Sequence, residues 1–98
     1  MTIDDLLFDI HVLVETLHSY ERKFGMRSSI FYEAYCEGEE PGNLDWVLDW
    51  AAWAGAYKVW LRREDQFRAK VEALRSANES ISQVIEKTAR HEPLSIPA

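Results

Sequence analysis

Between Ile3 and Phe24 the apolar residues Ile3, Leu6, Ile10, Leu13, Leu17, Tyr20 and Phe24 recur at alternating intervals of three and four without a miss. That period matches one face of an α-helix and is incompatible with a strand, whose faces alternate every second residue. Thr2 is placed to cap the helix, and Asp4 and Asp5 suit the positive end of its dipole. Leu7 and Val14 widen the stripe. Arg22 and Lys23 fall in the last turn, and Gly25 follows as a residue that accepts the left-handed terminating conformation.

The same rhythm returns later. Trp50, Trp53, Tyr57, Trp60, Glu64, Phe67, Val71, Leu74, Asn78, Ile81, Ile85 and Thr88 again alternate at three and four. Asn43 can cap this segment, and no proline interrupts it before Glu92. Unbroken, a helix over 44–91 would be about 70 Å long at 1.5 Å per residue. Helix propensity is weakest at Ser76-Ala77-Asn78-Glu79-Ser80, so one long helix or two nearly collinear ones are expected there. Between the two seams Ile30, Phe31, Ala34 and Tyr35 share a short helix over 29–37, which Ser28 would cap and Gly38 would end. Glu39-Glu40-Pro41-Gly42 is turn chemistry.

These elements predict one all-α domain over 1–92, a helical hairpin or bundle with a short middle helix, a long C-terminal helix and an extended tail over 93–98. With 98 residues there is room for one core only. Folding the first helix along Trp46 to Phe67 buries half of the long seam. The other half, Val71, Leu74, Asn78, Ile81 and Ile85, then requires a second copy of the chain or another protein, so dimerisation or a partner is expected to complete the fold. Glu64 and Asn78 are polar residues on this seam. Each either fixes register and oligomer state or lies solvated at the seam's edge.

Charge is unevenly spread. Residues 1–50 carry eleven acids against Arg22, Lys23 and Arg27, a balance of −8, whereas 51–98 carry eight bases against six acids, +2. An acidic half disfavours nucleic acid, whose phosphates need Lys and Arg, and favours a basic protein partner. Arg62, Arg63, Arg68, Lys70 and Arg75 are broken up by Glu64, Asp65 and Glu72, as on a solvated helix face.

The candidate chemical groups are few. Cys36, the single cysteine, excludes an internal disulfide. With Glu33, Glu37, Glu39 and Glu40 nearby it is expected as a small packed residue and not a nucleophile. Glu15 and His18 have the spacing of helical di-iron ligands, with His11 a turn earlier, but they lie opposite the apolar stripe. No triad is suggested, no metal or cofactor is expected, and the chain reads as non-enzymatic. It starts without a basic region ahead of an apolar stretch, so no signal peptide is expected. Its longest uncharged apolar run, Trp50 to Tyr57, is far below the roughly 20 residues of a membrane span. A cytoplasmic protein is expected.

Trp46, Trp50, Trp53, Tyr57 and Trp60 interleave with Ala51, Ala52, Ala54, Gly55 and Ala56. Helically spaced rings form a core, and aromatic residues also dominate protein interfaces; the two readings are compatible. As partner-binding residues the candidates are Trp46, Trp50 and Tyr32 as anchors, with Asp45 and Asp49 steering a basic surface.

Lys23-Phe24-Gly25-Met26-Arg27-Ser28-Ser29, then Phe31, Tyr35 and Gly38-Glu39, then the acidic-aromatic helix from Leu44 to Tyr57, form a recognisable series. Over roughly 15–63 the chain is similar to small bacterial helical proteins of a cyanobacterial type, which resemble antitoxin components of toxin–antitoxin pairs. The resemblance implies neutralisation of a cognate basic protein, the toxin of such a pair, by occlusion. It carries over no functional residues, because the matched positions are caps, turns and core.

Overall fold

The computed structural model describes residues 1–76 and 80–91. Among these residues four α-helices follow one another, α1 (Ile3–Phe24), α2 (Ser28–Cys36), α3 (Val47–Ser76) and α4 (Ile81–Ala89), with a 3₁₀ turn (Leu44–Trp46) leading into α3. The described residues contain no strand. None of their helices is long and apolar enough to cross a membrane.

α1 begins and ends as its sequence dictates. The Thr2 hydroxyl accepts from the Asp5 backbone N–H while the Asp5 carboxylate accepts from that of Thr2, both at 3.1 Å, a reciprocal capping box. Hydrogen bonding to the carboxylate from the Thr2 backbone N–H, then from the Thr2 side chain, holds the Asp5 carboxyl below its ordinary value. At the other end Gly25 takes a φ of 66° and donates to the Glu21 carbonyl at 2.8 Å. Asn43 caps the 3₁₀ turn, its side-chain oxygen accepting from Asp45 N–H at 2.9 Å.

α1 runs antiparallel to α3. Lys23 pairs with Asp49 near one end, and Arg63 meets Asp9 at 3.3 Å toward the other. Fourteen residues separate the two contacts on either helix, so the hairpin keeps one register between them. The seven stripe residues of α1 are all buried or half-buried, as are Trp50, Trp53, Tyr57, Trp60, Glu64, Phe67, Val71 and Leu74 on α3. Leu17, Phe31, Trp53 and Ala54 form the core cluster, with Tyr20, Phe24, Tyr32, Trp50, Tyr57 and Trp60 packed around it.

Trp53, 1% exposed, is the keystone of this cluster. Its ring stacks on Phe31 at 3.7 Å and 1°, and on Phe24 at 5.5 Å and 11°. Its indole N–H donates to the buried Ser28 hydroxyl at 2.9 Å. This changes the role expected of Ser28. The hydroxyl does not cap α2, which starts one residue earlier than anticipated and has Arg27 at the capping position without a side-chain bond. Glu21 caps it instead: its carboxylate accepts from the Ser28 N–H at 2.7 Å and from Arg27 at 3.3 Å.

The far end also departs from expectation. Arg63 beside Asp9 puts Asp4 level with about residue 68, at a constant rise of 1.5 Å. His91, two residues after α4, reaches Asp4 at 3.3 Å. A collinear continuation would carry His91 some 30 Å or more past that point. α4 therefore folds back toward the start of α1, with Ser80 extended at its head, and neither a single helix over 44–91 nor a collinear pair forms. A capping box starts the new helix, with Ser80 and Gln83 exchanging bonds of 2.8 and 3.1 Å. Leu6 near the start of α1, Leu74 near the end of α3 and Val84 in α4 are each buried, and α4 packs against α3.

The Val71–Ile85 seam is corrected accordingly. Leu74 is buried and Val71 half-buried within the chain, so this stretch does not wait for an outside partner. Ile81 and Ile85 face solvent, because α4 turns Val84 inward. Asn78 lies outside the described residues.

Candidate functional site

The opening stretch of α3 is apolar on more than one face. Trp46, Trp50 and Trp53 turn toward α1 and α2, whereas Leu44 and Leu48 point away and are 84% and 82% exposed. α1 ends at Phe24, and α2, only nine residues long, does not cover the remainder. A groove of about 330 Å³ results, walled by Phe24, Met26, Ile30, Ala34, Trp46 and Trp50. Trp53 and Phe31 lie at its base.

Rings hold its walls upright. Phe24 meets Trp46 edge-to-face at 5.3 Å and 77°, and Phe31 meets Trp50 likewise at 5.3 Å and 82°. Trp46 remains 40% exposed, and Met26 and Ile30 more so. A second hollow of about 230 Å³, lined by Tyr35, Pro41, Leu44 and Val47, adjoins the first and shares Trp50 and Glu39 with it. This is a contiguous apolar surface of the kind that marks interaction sites.

Carboxylates frame it. Glu39 lines both hollows and Glu40 the second. Glu33 and Glu37 are exposed one and two turns along α2 from Ile30, and Asp45 is exposed on the 3₁₀ turn. Lys23 is the one base on the rim of the first hollow, and its ammonium is paired with Asp49.

The five residues anticipated as partner-binding are thus divided. Trp46 and Trp50 line the groove, whereas Asp45 is exposed on the 3₁₀ turn and lines neither hollow. Asp49 is engaged by Lys23 and is one-third exposed. Tyr32 is elsewhere, on the side of α2 that packs against Tyr57 at 4.8 Å. Its phenol is pushed above the ordinary value, first by the hydrogen bond with Cys36, then by desolvation and by the neighbouring Cys36 and Tyr57. Met26, Ile30, Leu44 and Leu48 were not anticipated. The legible signal was the apolar pair Leu44 and Leu48, one turn apart on the side opposite the tryptophans.

The remaining candidates separate from one another. Cys36 is exposed and not packed, contrary to expectation, because it ends α2 on its outer side. Glu15, His11 and His18 are exposed on α1. His18 borders a hollow of about 200 Å³ with Glu21, Arg27, Ser28, Tyr57 and Trp60. No group of three or more His, Cys, Asp or Glu side chains suited to a metal ion occurs among the described residues. On the basic stretch of α3, Arg63 contacts Asp9 and Gln66, and Arg75 contacts Glu72. Compared with known proteins, the chain matches no family model, no curated protein and no solved structure.

Proposed function

We propose that this chain is a non-enzymatic protein-interaction module that binds a basic protein partner and neutralises it in the manner of an antitoxin, in a cytoplasmic setting. The observation that carries the reading is the open aromatic groove over Trp46, Trp50, Met26 and Ile30, bordered by Glu39, with Glu40 lining the adjoining hollow and Glu33, Glu37 and Asp45 exposed on the same stretch of chain. An apolar anchor of the partner fills the hollow and is desolvated there. Lysines or arginines around that anchor meet the carboxylates, which steer encounter and fix orientation. Occlusion follows from size: a standard interface covers about 800 Å² per partner, enough to shield an active surface on a small protein.

The test is affinity capture from the native host at low and moderate salt, with the wild type beside Ile30→Glu and Asp45→Lys. The expected result is one basic protein in near-equal amount, lost with Ile30→Glu and weakened by salt and by Asp45→Lys. Capture that ignores salt and Asp45→Lys removes the electrostatic half of the reading. Capture that survives Ile30→Glu removes the groove.

A further inference from the structure

The outer face of α1 carries a second seam. Asp5, Phe8, Val12, Glu15, Ser19 and Arg22 alternate at three and four, on the side opposite the buried stripe, and all six are exposed. Phe8 is 69% exposed and Val12 is 49% exposed, although one turn separates them on a helix that is otherwise polar on this face.

We propose that a second copy of this chain docks on this face, antiparallel, about a two-fold axis level with the midpoint between Val12 and Glu15. The order of charge along the helix selects both the occupant and the direction. The face is acidic at its start, through Asp4 and Asp5, and basic at its end, through Arg22 and Lys23. A parallel pair would set Asp4 beside Asp4 and Arg22 beside Arg22. An antiparallel pair sets Asp4 against Arg22 of the second copy along one edge, and Asp5 against Lys23 of the second copy along the other. Nearer the axis His11 comes opposite Glu15 of the second copy.

Size matches as charge does. In the same register Phe8 lies over the small Ser19 of the second copy, and Val12 lies against the methyl group of its Thr16. Every contact occurs twice by symmetry, as an isologous interface requires. Among the described residues Arg22 has no ion-pair partner within its own chain. Asp4 and Lys23 already touch His91 and Asp49, but each side chain is 55% exposed and has hydrogen-bonding capacity left. From Asp4 to Arg22 the seam is about 27 Å long. One helix pair of that length lies at the small end of specific interfaces, so association in the micromolar range or weaker is expected.

This face of α1 is separate from the groove. It does bear on how a groove would be used. Antiparallel pairing sends the two Phe24 ends of α1, and the grooves beside them, to opposite ends of the dimer, so two partners could be held at once.

Sedimentation velocity over protein concentrations from about 1 µM to about 1 mM tests the association. A monomer–dimer equilibrium is expected, weakened at least about tenfold by Phe8→Glu and by Arg22→Glu. Adding Asp4→Arg to Arg22→Glu should restore it to within about threefold. Circular dichroism confirms that each variant is folded, which these exposed sites permit. Direction is read by oxidation in a Cys36→Ser background. Phe8→Cys with Ser19→Cys should cross-link two chains, and Phe8→Cys alone should not, because its two copies would be about 16 Å apart. A wild type that stays monomeric throughout overturns the proposal. So does a dimer indifferent to Phe8→Glu, and a ready cross-link through Phe8→Cys alone overturns the antiparallel arrangement.

Discussion

Trp53 and Ser28 are joined by a hydrogen bond of 2.9 Å between two side chains 25 positions apart, inside the aromatic core. The bond ties α3 to the first turn of α2 and gives the buried indole N–H its acceptor. Ser28→Ala strands the indole N–H in a dry site and should cost about 1–3 kcal/mol. Trp53→Ala removes the keystone ring as well and should cost about 3–5 kcal/mol. Urea unfolding measures both. A Ser28→Ala protein as stable as the wild type would show that the bond contributes nothing.

Trp50 and Trp60 give the opposite case. Their indole nitrogens are shielded from solvent and have no hydrogen-bond partner among the described residues. An unsatisfied donor of this kind lowers stability, so replacing it with an apolar ring of similar shape offsets the lost area. Trp60→Phe is expected to fall within about 1 kcal/mol of wild type, well above Trp53→Phe measured in the same series. Equal losses for the two substitutions would place a partner on the Trp60 nitrogen.

Glu21 makes the fold sensitive to acid. Desolvation alone would raise its carboxyl, but the Ser28 N–H and hydroxyl, then Arg27 and His18, outweigh it and hold the group below its ordinary value. Its contribution is complete above the ordinary glutamate value of about 4.3 and is lost as pH falls through the lower folded value. Glu21→Gln keeps an acceptor for Ser28 but no charge. At neutral pH it should be less stable by about 1 kcal/mol. On acidification the two proteins should converge, because only the wild type loses this charge. Asp5 is held low in both and cancels in the difference. Parallel stability curves from pH 7 to about 3 would deny Glu21 this role.

Legibility in the sequence follows the range of the interaction concerned. Thr2, Asp5 and Gly25 act within one turn, and the ends of α1 were readable from them. The α1 stripe and the Trp50–Leu74 seam were readable because burial repeats with the helical period. Ser28 was misread because what decides its role, Glu21 and Trp53, lies seven and 25 residues away. The turn before α4 was hidden for another reason. A spacing of three and four continued in number across the break while the helix phase was reset, so Ile81 and Ile85 looked like seam. Ser80 and Gln83, the capping pair that starts α4, were the overlooked signal. The groove could not be read from periodicity, since it depends on where α1 stops and how little α2 covers.

The reset phase of α4 is itself open to test with two adjacent residues. Val84 is 4% exposed and Ile85 is 58% exposed. If α4 folds back onto Leu6 and Leu74, Val84→Asp places a charge in an apolar junction and should cost several kcal/mol, about 3 or more. Ile85→Asp should change stability by no more than about 0.5 kcal/mol beyond its effect on helix propensity. A continuous seam of the kind that the spacing suggested predicts the reverse order, with Ile85→Asp the damaging change. Thermal unfolding of the two variants therefore separates a chain that closes its own far end from one that needs a partner to close it.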